Sequence, residues 1–133
     1  MDDAAKRLSV ADVQQSAATT YAHGGLSPYI IRRVKEYIAE NLETRINLGA
    51  LARLARLSRS HFSRQFKRSM GRAMSKYVIE QRVIRAQKLL IETDLPATDI
   101  ASISGFADQS HFCKHFRLYC GMTPNVFRKS GKQ

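Results

Sequence analysis

The sequence predicts an all-α fold in which a long helix joins two copies of one helix-turn-helix unit. The segment SHFSRQFKRSMG at residues 60–71 recurs as SHFCKHFRLYCG at residues 110–121, at an offset of 50. Upstream of this segment the matching residues are offset by 49, so the second copy contains one inserted residue, which is tolerated best in a turn. Apolar residues recur at intervals of three and four, and no run alternates with a period of two. Each copy is therefore a helix, a short turn and a second helix.

Three predicted helices follow an N-terminal arm in the first half of the chain. Residues 1–27 lack a sustained apolar face and end in a Gly-rich stretch, which is typical of a linker or mobile arm. Pro28 begins a helix with apolar residues three and four apart. Asn47 and Ser58 have side chains suited to cap the two helices of the first copy. These helices form a first subdomain over residues 28–73.

The second half repeats this order after a long helix predicted over residues 74–92. Thr98 or Asp99 is suited to cap the short first helix of the second copy, and Asp108 is suited to cap the helix after its turn. Thr123-Pro124 begins a last helix, because proline suits the first helical position. The second subdomain spans residues 95–130, within one domain of residues 28–133.

The charge of the chain points to a polyanionic partner. Lys and Arg number 22 against 11 Asp and Glu, which gives a formal net charge of +11 and a pI near 10.2. The stretch from residue 53 to residue 88 contains a single acid, Glu80, among its many Lys and Arg residues. Such a run of basic residues also occurs on helix faces that are simply exposed to solvent. The spacing of the residues has to distinguish such a face from a surface that binds a polyanion.

Several classes of function are not expected. No nucleophile with a base, carboxylate pair or phosphate-cradling glycine loop stands out, so we expect neither enzymatic activity nor a cofactor. His111 and His115, with Cys113 between them, lack an apparent fourth ligand, so no metal site is expected. The acidic start MDDAAKRLSV and the absence of a bilayer-length apolar run predict a cytoplasmic location.

The second helix of each copy is the predicted DNA-reading element. In a helix-turn-helix the apolar face of this helix packs inward while its outer face enters the major groove. The inward residues are Phe62 and Phe66 in the first copy, and Phe112, Phe116 and Tyr119 in the second. The outward residues are Arg59, Ser60, Ser63, Arg64 and Lys67 in the first copy, and Gln109, Ser110, Cys113, Lys114 and Arg117 in the second.

Residue chemistry assigns roles within this outer surface. Arg64 and Lys114 occupy equivalent positions, and cations bind guanine O6 and N7, so these two are the strongest candidates for base contacts. Gln109 suits adenine. We expect the phosphates of the DNA backbone to be bound by the basic residues Lys67, Arg68, Arg72 and Lys76.

The predicted linking helix sets a geometric expectation. At about 1.5 Å per residue it is about 28 Å long, close to the ~34 Å between successive major-groove faces of double-stranded DNA. One monomer therefore reaches two adjacent grooves. Because the copies are related by repetition rather than by a dimer axis, we expect an asymmetric site.

The second copy and its flanks resemble a known family. IASISGFADQSHFCKHFRLYCGMTPNVFR at residues 100–128 is similar to the signature of the AraC/XylS family of bacterial transcription regulators, and the resemblance extends back to about Leu26. It implies two helix-turn-helix subdomains that bind promoter DNA and usually activate transcription by contacting RNA polymerase. The implied groove contacts are Ser60, Ser63, Arg64, Gln109, Ser110, His111 and Lys114, and the implied backbone contacts are Lys76 and Asn125.

The first copy departs from the family pattern. Arg56 stands where the family commonly has a turn glycine, which puts the conformation of that turn in doubt, and Ala73-Met74 replaces the cap-and-proline pair. Most members also have an effector-binding or dimerisation domain, which 27 residues before this region cannot supply. The chain is therefore either a stand-alone regulator or part of a longer protein, and its linker-like residues 23–28 favour the longer protein.

Two other functions stay open at this point. The fold also suits a protein-interaction module, such as an antagonist of a larger regulator, or an architectural protein that binds DNA without sequence preference. Arg82 and Arg128 are candidate phosphate ligands, but their place beside core positions favours structural pairing with acids such as Asp99.

Overall fold

The computed structural model describes residues 25–131, and within them the chain forms seven α-helices and no β-strand. None of these helices is both long and apolar enough to cross a bilayer. The all-α fold class is confirmed, with two helix-turn-helix motifs and a long helix between them. The helices are α1 (Pro28–Glu40), α2 (Leu48–Leu54), α3 (Arg59–Met70), α4 (Met74–Glu92), α5 (Ala97–Ile103), α6 (Gln109–Cys120) and α7 (Pro124–Gly131).

The helices divide between two compact units. The first contains the described residues up to Ile38 together with Asn47–Met74, and the second contains Ala39–Ile46 together with the residues from Ser75 onward. The long helix α4 thus lies in the same unit as α5, α6 and α7. The core of the second unit consists of Val83, Ala86, Leu90, Ile100, Ala101, Phe106, Phe112 and Phe116.

Side-chain caps fix where the helices of each motif begin. Asn47 Oδ1 accepts a hydrogen bond from Ala50 N at 3.1 Å, and Ser58 Oγ accepts one from His61 N at 3.1 Å. In the second unit Asp108 Oδ1 accepts from His111 N at 2.7 Å. The sequence-based expectations for all three caps are confirmed, because each oxygen satisfies an N–H group that has no partner within the helix.

The cap expected at Thr98 or Asp99 is wrong. Helix α5 begins at Ala97, with Pro96 in the capping position and no hydrogen bond from a capping side chain. The Pro96 carbonyl accepts the first helical bond, from Ile100 N at 3.0 Å. Because Pro96 already has its φ fixed at −63°, the chain enters the helix without a capping side chain. Asp99 lies in the first turn, where its negative charge interacts favourably with the helix dipole.

A short entry segment, Gly25–Ser27, packs into the first unit. Gly25 N donates to Gln65 Oε1 at 2.5 Å and Leu26 N donates to Ser69 Oγ at 2.6 Å. The Leu26 and Ser27 side chains are buried, and Ser27 Oγ accepts from Ile30 N in the first turn of α1. The last residues of the predicted arm therefore bond to α3, while residues 1–24 lie outside the described part of the chain.

Two arginines bond to backbone carbonyls. Arg82 donates from Nε to Leu42 O at 3.0 Å and from Nη2 to Thr44 O at 2.8 Å. Arg128 donates from Nε to Leu90 O at 3.0 Å and from Nη2 to Thr93 O at 3.2 Å. The structural role is supported, but pairing with acids such as Asp99 is wrong. Carbonyls in the last turn of a helix and just after it have no partner within the helix, and each guanidinium satisfies two of them.

Candidate nucleic-acid interface

Helix α3 separates an apolar face from a cationic one. Phe62 and Phe66 are buried, with ring centroids 6.0 Å apart, and fix the inner face of the helix. The six outward residues that the sequence predicts for contacts are all exposed: Arg59, Ser60, Ser63, Arg64, Lys67 and Arg68. The helix contains no acid, so nothing within it neutralises this face. Lys67 and Arg68 also lie in the last turn of α3, where cations interact favourably with the helix dipole.

Helix α6 has the same arrangement, with a buried apolar face and an exposed polar face. Phe112 and Phe116 are fully buried, with ring centroids 5.6 Å apart, and Phe116 also contacts Phe127 of α7. The side chains of Gln109, Ser110 and Lys114 are exposed, as predicted. This helix contains no acid either.

Tyr119 does not belong to the inner face of α6. Its side chain is 43% exposed, so the sequence-based assignment to the apolar face is wrong. Cys120 completes the packing instead, and Gln87 Nε2 of α4 donates to its sulfur at 3.0 Å. Because consecutive residues lie about 100° apart around a helix, turning Cys120 toward α4 leaves Tyr119 in solvent. Burial raises the pKa of the Cys120 thiol.

His111, a predicted groove contact, is half-buried, as is the predicted outward residue Cys113. Its ring packs edge-on against Phe106 at 5.7 Å and against His115 at 4.4 Å between centroids. Its Nδ1 is buried and makes no hydrogen bond to the described residues. The ring therefore packs beside the turn, and only its outer part is available to a partner. Burial lowers the pKa of His115, and the charges of His111 and Lys114 lower it further.

The remaining predicted contacts lie near the starts of helices that follow the motifs. Lys76 is exposed in the first turn of α4, and Asn125 is exposed in the first turn of α7. Arg72, by contrast, is half-buried and donates from Nη1 to Met70 O at 2.9 Å. Its guanidinium therefore already stabilises the end of α3.

The two turns that orient α3 and α6 have the same hydrogen bonds. Leu57 N donates to Ala52 O at 2.9 Å in the first turn, and Phe106 N donates to Ala101 O at 2.9 Å in the second. Arg56 keeps the left-handed conformation expected of a glycine, with φ of 60°. The first turn is therefore intact despite its departure from the family pattern.

Within residues 25–131, no three His, Cys, Asp or Glu side chains come close enough to hold a metal ion. The outward surfaces of α3 and α6 instead present hydroxyl, amide and cationic groups. Hydroxyl and amide groups suit base edges, and cations suit phosphates.

A family model described as a helix-turn-helix domain matches residues 51–130, which include α3, α4 and α6. The chain belongs to the AraC/XylS family of bacterial transcription regulators. The HTH-type transcriptional activator AarP of Providencia stuartii is 31% identical over 108 residues, which are 81% of this chain and 80% of AarP. The probable transcriptional regulator LumQ of Photobacterium leiognathi is 33% identical over 95 residues, which are 71% of this chain but only 38% of LumQ.

Solved structures agree with this AraC-type assignment. The DNA-binding domain of AdpA, a global transcriptional factor crystallised with a target DNA, superposes with a TM-score of 0.69 at 31% identity. The match covers 74% of this chain and 89% of the AdpA chain. A transcriptional regulator from Chromobacterium violaceum, described as containing an AraC-type DNA-binding domain, superposes with a TM-score of 0.73 at 28% identity over 78% of this chain and 93% of its own. The fold of this chain is therefore that of an AraC-type DNA-binding domain.

One surface residue escaped the sequence-based assignment. Leu118 is 69% exposed near the end of α6, one helical turn beyond Lys114. Its equivalent in α3 is Arg68, at the offset of 50. The repeat alignment contained this signal, because an apolar residue at the position of an outward cation predicts exposure rather than burial.

Proposed function

We propose that this chain is a sequence-specific regulator that activates transcription, with α3 and α6 placed in adjacent major grooves of an asymmetric promoter site. The observation that carries the proposal is the pair of acid-free recognition helices, each with two buried phenylalanines behind an exposed polar face. The AdpA domain, whose solved structure contains its target DNA, supports the same mode of binding.

Each outward residue has a proposed role. Arg64 and Lys114 bind guanine, Gln109 binds adenine, and Ser60, Ser63 and Ser110 contact base edges or phosphate. His111 contributes the outer edge of its ring. Backbone phosphates are bound by Arg59, Lys67, Arg68, Lys76 and Asn125.

In vitro selection from a random duplex pool at roughly physiological salt tests this proposal, because nonspecific affinity is weak under that condition. We expect two dissimilar short elements in fixed order and orientation, centred about 10 to 10.5 base pairs apart. Enrichment of a single element would mean that one recognition helix alone reads bases. No enrichment would overturn sequence-specific recognition by this chain.

Alanine variants on the selected site test the base contacts. Arg64→Ala should weaken binding about tenfold or more at the base pairs of one element, and Lys114→Ala should do so at the other. Lys88→Ala, an exposed cation of α4 outside the recognition helices, is the matched control. Uniform losses across all sequences would favour the architectural DNA-binding alternative, and wild-type-like affinity in both variants would show that Arg64 and Lys114 do not contact bases.

Activation is the second part of the proposal. A selected site placed upstream of a minimal promoter should give more transcript from purified RNA polymerase when the protein is added. Less transcript would show repression instead. The cytoplasmic location and the absence of enzymatic activity stay predictions.

A further inference from the structure

The two recognition helices have matching scaffolds. Both span 12 residues, and both have a side-chain cap that accepts from the third residue of the helix. Both end at a left-handed glycine, Gly71 with φ of 78° and Gly121 with φ of 76°. Differences in how they bind DNA must therefore come from their side chains rather than from their length or caps.

Those outer faces differ in charge. Exposed Arg59 and Arg68 of α3 correspond to exposed Gln109 and Leu118 of α6. Arg64 and Lys67 correspond to Lys114 and Arg117, which keep their charge. The outer face of α3 therefore has four cations and that of α6 has two.

The back of each helix differs as well. Gln65 and Ser69 of α3 accept hydrogen bonds from the entry segment, at Gly25 and Leu26. The equivalent residues of α6 are His115, whose ring stacks on Phe106 and meets His111 edge-on, and the exposed Tyr119. The end of α3 is thus held by two backbone N–H groups in addition to its packed phenylalanines.

Resting on the proposed function, we infer that the two helices divide the work of binding. Helix α3 is the anchor, which supplies most of the phosphate-based affinity, and α6 is the discriminating helix, whose affinity depends mainly on the bases it meets. Phosphate contacts carry no sequence information, so removing two of them leaves α6 with a larger share of base-dependent binding. Leu118 determines specificity because it makes no phosphate contact. A cation at this position would bind backbone phosphate and so stabilise α6 on DNA of any sequence.

Reciprocal exchange of the two faces tests this division. The variant Arg59→Gln with Arg68→Leu gives α3 the pattern of α6, and Gln109→Arg with Leu118→Arg gives α6 the pattern of α3. All four side chains are exposed, so both variants should fold, and circular dichroism checks this. The salt slope is the magnitude of the slope of log K for DNA binding against log salt concentration, and it changes by about 0.9 for each phosphate contact. The first exchange should therefore lower the salt slope by about 1.8, and the second should raise it by as much.

Discrimination is the second measurement. For each protein, affinity is compared between the selected site, a site with the α3 element scrambled and a site with the α6 element scrambled. The Gln109→Arg, Leu118→Arg variant should tolerate scrambling of the α6 element several-fold better than the wild type. Arg59→Gln with Arg68→Leu should weaken binding to all three duplexes and leave the base preferences in place.

Two results would overturn the division of work: salt slopes that stay within about 0.5 of the wild type in both exchanges, or unchanged tolerance of a scrambled α6 element. Failure of the proposed function looks different. In that case the wild-type chain itself binds the selected and scrambled duplexes equally, while the salt slopes of the exchanges still report how many phosphates each helix contacts.

Discussion

Arg56 and Gly105 occupy the same left-handed position in the two helix-turn-helix turns, with φ of 60° and 93°. Arg56 N donates to Arg53 O and Gly105 N donates to Ser102 O, each at 3.0 Å. The surroundings of the two residues differ. A Cβ at Gly105 would collide with the carbonyl oxygen of Leu42, whereas the Arg56 side chain is exposed. The first turn therefore accepts a side chain and the second does not.

Arg56→Gly should stabilise the protein. A left-handed residue with a Cβ costs about 1–2 kcal/mol, and the extra chain entropy of glycine offsets about 0.5–1 kcal/mol of that. We expect the free energy of unfolding in urea to rise by about 0.5–1 kcal/mol. Arg53→Gly removes another exposed cation, within α2, and should lower the free energy of unfolding by about 1 kcal/mol. A loss in both variants would contradict the strain assigned to Arg56.

Gly105→Ala should destabilise the second unit by more than about 2 kcal/mol, because left-handed strain and the clash with Leu42 act together. The new Cβ would also lie 2.7 Å from Arg82 Nε. Gly121→Ala is the matched control, since Gly121 has a similar φ of 76° but no atom within 4 Å of the added Cβ. Urea unfolding should show a clearly larger loss for Gly105→Ala, and equal losses would remove the steric part of this explanation.

Arg82→Met and Arg128→Met should each lower the free energy of unfolding by about 2 kcal/mol, because each removes a charged donor from two backbone carbonyls. Burial also lowers the pKa of Arg82. Lys88→Met on the exposed side of α4 should change stability little. The salt slope of DNA binding should stay at the wild-type value in both variants, whereas a lost phosphate contact would lower it by about 0.9.

Acid should weaken the second unit through His115. Burial beside Phe106, together with the charges of His111 and Lys114, holds the pKa of His115 below its ordinary value of 6.5. The unfolded chain then binds the proton more readily, so the contribution of this residue to stability is complete above pH 6.5 and is lost as the pH falls below it. Urea midpoints should fall between pH 7.5 and pH 5.5, and fall less in His115→Gln. An identical acid response in that variant would assign the effect to other groups.

Local signals in the sequence were enough for the fold and for the outward face of α3, whereas on α6 they missed the exposed Leu118 and Tyr119. Asn47, Ser58 and Asp108 cap helices as predicted, because capping depends on one side chain and the N–H groups next to it. The buried phenylalanine pairs follow in the same way from helical spacing.

The features that the sequence did not predict depend on contacts between distant residues. The carbonyl partners of Arg82 lie 40 and 38 residues away, and no local pattern indicates them. Exposure of Tyr119 depends on Cys120 facing α4, which helical periodicity cannot distinguish at the end of a helix. The left-handed Arg56 likewise follows from the turn that α2 and α3 require rather than from its own preference.

The bonds from the entry segment to Gln65 and Ser69 have a mechanical consequence. The backbone just ahead of α1 is attached to the C-terminal half of α3 through two N–H groups, so a displacement of Gly25 or Leu26 would strain these bonds to α3. A glycine suits this position, because its φ of 94° is left-handed and an added Cβ would lie 2.6 Å from Ser69 Oγ. A domain or an engineered fusion placed upstream would therefore be joined, through residues 1–24, to a segment that is hydrogen-bonded to the first recognition helix.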